Sequence, residues 1–139
     1  MSEPQGPYLT LAVLCERVLQ EKDDAISLIR LIDRFVIALP ALTADGTFES
    51  PALISFSIVV GLRSESAGEH EIVITLKNPD GTTLGSGTGT VVLQGGGHGA
   101  NLATKLDVAI ARPGAYWFEV GVAERVLSRV PLQVVAAGH

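Results

Sequence analysis

Near the end of the chain, Tyr116, Phe118, Val120 and Val122 alternate with Ala115, Trp117, Glu119 and Gly121. Successive side chains of an extended backbone point to opposite faces, so this period of two predicts a strand with one buried face. The whole stretch from Arg112 to Val135 reads as a turn at Pro113-Gly114, that strand, a hairpin about Ala123-Glu124 and a closing strand from Val126 to Val135. Such a pattern points to an antiparallel β protein. Pro131 cannot donate to a ladder, which places the closing strand at an edge or marks a bulge. Two-residue hairpins usually carry Asn-Gly or Asp-Gly, so Ala123-Glu124 predicts a longer turn or a different type.

The same alternation recurs upstream. Ile54, Phe56, Ile58, Val60 and Leu62 oppose Ser55, Ser57, Val59, Gly61 and Arg63, and Ile72, Ile74 and Leu76 oppose Val73, Thr75 and Lys77. Leu102, Thr104, Leu106, Val108 and Ile110 face one way, with Lys105 and Asp107 the other. Asn78-Pro79-Asp80-Gly81 is a tight-turn sequence, and Asp45-Gly46 marks another inside the connection from Pro40 to Pro51. Seven of the fifteen residues from Gly85 to Gly99 are glycine, which predicts an irregular loop holding at most a short strand at Val91 to Leu93. Tyr8 to Gln20 and Ile26 to Leu39 fit helix and strand almost equally, and periodicity leaves both open.

Composition narrows the function. The chain has 139 residues, a length typical of one domain spanning 1–139, and its 47% hydrophobic content excludes disorder. Valine and isoleucine supply 24 residues, a bias toward pleated surfaces. A net charge of −5 with ten scattered basic residues argues against nucleic acid or an anionic membrane as partner. The single cysteine, Cys15, allows no internal disulfide. Met1 to Pro7 lacks the basic and apolar regions of a secretory signal, and no apolar run reaches the roughly 20 residues of a spanning helix. The expected location is cytoplasmic.

Two groups of segments resemble a known family. Leu14 to Leu19 (LCERVL) and Ser27 to Arg34 (SLIRLIDR) are similar to the opening of a bacterial family catalogued only as a domain of unknown function. Pro113 to Val122 (PGAYWFEVGV) and Val130 to Val134 (VPLQV) resemble that family's end, a pattern shared with immunoglobulin-like sandwiches. The resemblance implies a β-sandwich, turns the ambiguous opening toward strands and carries no activity.

Each residue type able to do chemistry has an ordinary structural reading beside the functional one. Cys15 has no motif linking it to His70, His98 or His139, so a buried thiol is expected rather than a nucleophile. Asp23, Asp24, Asp45 and Asp80 fall in predicted loops without the dense spacing of a Ca²⁺ site, and read as turn acids. Gly95 to Gly99 lacks the lysine and helix of a phosphate loop. Asp33, between Arg30 and Arg34 in an apolar run, would share a buried face with Ile29, Leu31 and Phe35 and need a partner there. Trp117, with Glu119 on the same face and Arg129 on the next strand, is either a second-side core residue or an interface anchor.

The expectation is therefore an all-β, antiparallel two-sheet sandwich of roughly eight strands, immunoglobulin-like. Its expected function is a non-catalytic interaction or assembly module, acting on a protein partner or on itself, with no cofactor. The alternative is a small-ligand or Ca²⁺-dependent recognition domain using loops at one end.

Overall fold

A computed structural model describes residues 6–22 and 25–137. It contains nine strands: β1 (Tyr8–Gln20), β2 (Ile26–Ile32), β3 (Arg34–Ile37), β4 (Ala52–Arg63), β5 (Gly68–Lys77), β6 (Thr83–Leu93), β7 (Gly99–Ile110), β8 (Gly114–Val122) and β9 (Arg125–Ala136). They form a four-stranded sheet in the order β2-β1-β4-β7 and a five-stranded sheet in the order β3-β9-β8-β5-β6. The fold is an all-β sandwich, as expected. The described residues include no helix, and hence none long and apolar enough to cross a membrane.

The core lies between the sheets, where alternation puts it. Ile54, Phe56, Ile58, Val60 and Leu62 of β4 meet Ile72, Leu76, Tyr116, Phe118, Val120 and Val122 of β5 and β8. Phe56 joins the layers: its ring centroid lies 5.6 Å from that of Phe35 and 5.9 Å from that of Phe118, the latter pair edge-to-face. Where β7 crosses to β8, the Tyr116 hydroxyl donates to the Arg112 carbonyl at 2.7 Å. Such a tyrosine pinning its own upstream backbone is a hallmark of immunoglobulin-type sandwiches. Burial pushes its phenol above the ordinary range, although the Arg112 carbonyl and guanidinium oppose the shift.

Four local expectations are corrected. Ile26 to Leu39 is not one strand: it leaves one sheet for the other at Asp33, forming β2 and β3. The face parity resets there, so Ile32 and Phe35 pack on the core while Leu31 is 66% exposed. Asp33 is consequently exposed rather than buried, and its backbone carbonyl accepts from Gln133 N at 2.9 Å. β9 is flanked on both sides, by β8 and, in the sandwich's parallel pairing, by β3. Pro131 fits because β3 joins only from Gln133 onward, leaving the proline where β9 has β8 alone beside it.

The glycine-rich stretch is also more ordered than expected. Gly85, Gly87, Gly89, Val91 and Leu93 form one face of the 11-residue strand β6, with Ser86, Thr88, Thr90 and Val92 on the other, and the register shifts by one at Leu84. The period of two was present, but glycine hid it. Only 94–98 turns the chain, with Gly95, Gly96 and Gly97 at φ of 84°, 65° and 81°.

Candidate functional site

The outer face of the five-stranded sheet follows from register. Lys77, Trp117 and Pro131 lie across from one another on β5, β8 and β9, and Thr75, Glu119 and Arg129 form the next row. Trp117 and Glu119 are half-buried and Arg129 is exposed. The indole Nε1 donates to Glu119 Oε2 at 3.3 Å, and Arg129 Nη2 approaches the same oxygen at 3.6 Å. The Arg129 guanidinium carbon also lies 5.9 Å from the Trp117 ring centroid, in cation–π range. The three interface residues expected from the sequence thus form one cluster, its ring and its charges fixed by each other.

Beside the cluster runs a groove of about 430 Å³ lined by His70, Val73, Thr75, Glu119, Gly121 and the hairpin at Ala123 to Val126. Gly121 in its wall lets the hairpin backbone pack close, because a Cβ there would meet the Arg125 carbonyl oxygen at 2.9 Å. The hairpin is a two-residue turn: Val122 pairs with Arg125, while Ala123 and Glu124 both adopt left-handed φ, 52° and 64°. That is the geometry Asn-Gly serves, imposed here on residues with a Cβ at a cost of about 1–2 kcal/mol each. The expectation of a longer or different turn is corrected. Local strain of this kind concentrates at functional sites. His70 Nε2 is buried without a hydrogen-bond partner beside the same groove.

Sequence reasoning found Trp117, Glu119 and Arg129 but missed His70, Thr75 and Gly121. Their only forward signal was the unusual turn pair at Ala123-Glu124.

The remaining candidates are dispersed. Cys15 is fully buried in β1, where desolvation raises its thiol pKa and its Sγ donates weakly to the Arg17 carbonyl at 3.5 Å. His70 lies in the other sheet. Asp45 accepts from the hydroxyls of Thr43 and Thr47, and Asp80 accepts from Thr82 N at 2.9 Å and Thr82 Oγ1 at 2.6 Å. These bonds hold both carboxyls below their usual range. Each acid is spent on its own turn, and the described residues hold no group of three or more potential metal ligands. Asp23, Asp24 and His139 lie outside the described residues. In the glycine turn, Gly96 N and Gly97 N donate to the carbonyls of Glu65 and Ser64 at 2.9 and 3.1 Å, so these donors serve the chain rather than an anion.

Solved structures similar to this chain include a β-glucosidase from Listeria innocua, 14% identical with a TM-score of 0.51, over 75% of this chain and 15% of that one. The same enzyme in complex with isofagomine aligns with 92% of this chain and 16% of its own, at 13% identity and a TM-score of 0.50. At such identity the likeness is one of fold alone, and this chain spans a small fraction of the enzyme's length. Among curated proteins, none matches. A family model matches residues 10–135, and the chain belongs to that family, DUF6941, a family of unknown function.

Proposed function

We propose that the protein is a non-catalytic interaction module of the cytoplasm, making protein–protein contacts through the outer face of its five-stranded sheet. The observation that carries this reading is the Trp117–Glu119–Arg129 cluster on an open sheet face. Tryptophan and arginine dominate interface energetics, and an aromatic ring held in advance loses little entropy on docking. The adjacent groove could receive a partner side chain beside that anchor. A net charge of −5 suits a protein partner better than nucleic acid or an anionic membrane, and a lone buried thiol suits a reducing compartment.

The groove also supports a second reading, recognition of a small ligand, because its volume falls within the range of ligand sites and His70 Nε2 is unpartnered there. With Asp45 and Asp80 each spent on its own turn, the Ca²⁺ version of that reading has little support.

The test compares immobilised wild type with Trp117→Ala and Arg129→Glu, each confirmed as folded by circular dichroism. Partners held by wild type and released by both variants are the expected result. The same set held by all three baits would refute the contact surface.

A further inference from the structure

Edge strands differ in how they are protected, and β6 is the unprotected one. It ends the five-stranded sheet, so one side of its backbone has no strand beside it. Natural edges are blunted with lysine, proline, bulges, inward charges or shortness. β7, an edge of the other sheet, carries Lys105 and Asp107, β2 carries Arg30, and β3 is only four residues long. β6 has 11 residues, TLGSGTGTVVL, with no charged residue, histidine or proline, and its bulge sits at its start, at Leu84, leaving 85–93 regular. In a chain of net charge −5, an uncharged edge is where two copies repel each other least.

Its sequence also has a centre. On the outer face Ser86 and Thr90 each lie two residues from Thr88, and on the inner face Gly87 and Gly89 flank it, while Leu84 lies beyond, at the bulge. An antiparallel pairing of β6 with β6 of a second copy, about a two-fold axis at Thr88, joins the regular stretches 85–91 of both strands. Ser86 then faces Thr90, and Thr88 faces itself. On the inner face Gly87 meets Gly89, so no bulk opposes the approach. The parity of two is preserved, and the two five-stranded sheets become one continuous sheet.

We infer that β6 is a self-association edge whose partner is a second copy of this chain, paired antiparallel about Thr88. This goes beyond the contact reading for Trp117, and uses a different part of the molecule. The joined sheet displays two Trp117 clusters on one face, which gives the proposed module two equivalent contact sites.

Light scattering over a concentration series should show twice the 14.6 kDa chain mass for wild type and the chain mass alone for Thr88→Lys, which places like charges on the axis. Thr88→Cys should form a covalent dimer on mild oxidation, because facing residues of an antiparallel pair lie about 4.5–5.5 Å apart, within disulfide range. Thr90→Cys should not, since its counterpart is Ser86. Cys15 is common to both variants and buried. Equal cross-linking of the two variants, or none in either, would overturn the pairing. A dimer that survives Thr88→Lys and dissociates with Trp117→Ala would also overturn it, and would leave the contact reading standing.

Discussion

The two outer faces of this sandwich are built from similar strands and do different things. On the four-stranded sheet, Cys15 and Val59 are fully buried although they point away from the core, with Val13, Ala103, Arg17 and Lys105 on the same face around them. Its exposed aliphatics are Leu19, Ile29 and Leu31 on the β1–β2 side, Leu31 opposite Cys15, and Leu53 farther off, four residues down β4 from Ser57, Cys15's other partner. On the five-stranded sheet, which also exposes Val36, Val92 and Val126, one tryptophan is held by a carboxylate and overlain by a guanidinium, next to a groove. Exposed apolar area alone would favour the first face. Organisation favours the second, because an exposed aliphatic makes no oriented contact while a pre-positioned aromatic with polar partners is costly to keep without a use.

Substitutions can separate these roles, beginning with the largest effect. Val59→Asp should cost about 3–5 kcal/mol, because it buries an unpaired charge on a sealed face, and chemical denaturation would show it. If that variant keeps wild-type stability, the first face is open and the contrast fails. Gly121→Ala should cost about 1–3 kcal/mol by forcing a Cβ against the Arg125 carbonyl, again read by denaturation, and it should narrow the groove. Ala123→Asn with Glu124→Gly should instead stabilise, by about 1–2 kcal/mol in total, by relaxing the turn, with the melting temperature as readout. A gain in stability with weaker partner retention would show that the strain shapes the surface.

The smallest effect is acidic. Asp45 and Asp80 have folded pKa values below their ordinary ones, so the unfolded chain takes up protons first as pH falls. Their contribution is complete above the unfolded carboxylate pKa of about 3.9 and is lost as pH drops through the lower folded values. Asp45→Asn with Asp80→Asn should remove that contribution, slightly lowering stability at neutral pH and flattening its acid limb, while leaving both faces unchanged.

How much of this was legible depended on whether a strand's pattern was written in side chains. β4 and β8 were, because each alternates over its length and each is central in its sheet, so their core faces followed. β6 has the same alternation, but its inner positions are glycine at 85, 87 and 89, which a hydrophobic pattern cannot display. Asp33 was misplaced for a different reason: the periodicity of Ile29, Leu31, Phe35 and Ile37 continues across a point where the chain changes sheets, and a period carries no information about which layer it belongs to. Trp117 and Glu119 were legible together because they share a strand face, whereas Arg129 faces Glu119 only because a bulge between Val126 and Ser128 shifts the register that a two-residue hairpin alone would set. The groove was not, since it depends on Gly121 and on left-handed backbone at Ala123 and Glu124, which residue identity argues against.

The central claim, that the organised face and not the aliphatic one meets a partner, is tested most directly by photo-cross-linking. A benzophenone amino acid replaces Trp117 in one variant and Leu53 in another, and both are irradiated in the cells that make the protein. Adducts heavier than the chain from position 117, and few or none from position 53, are the predicted result. Adducts from position 53 alone, or equally from both, would contradict it.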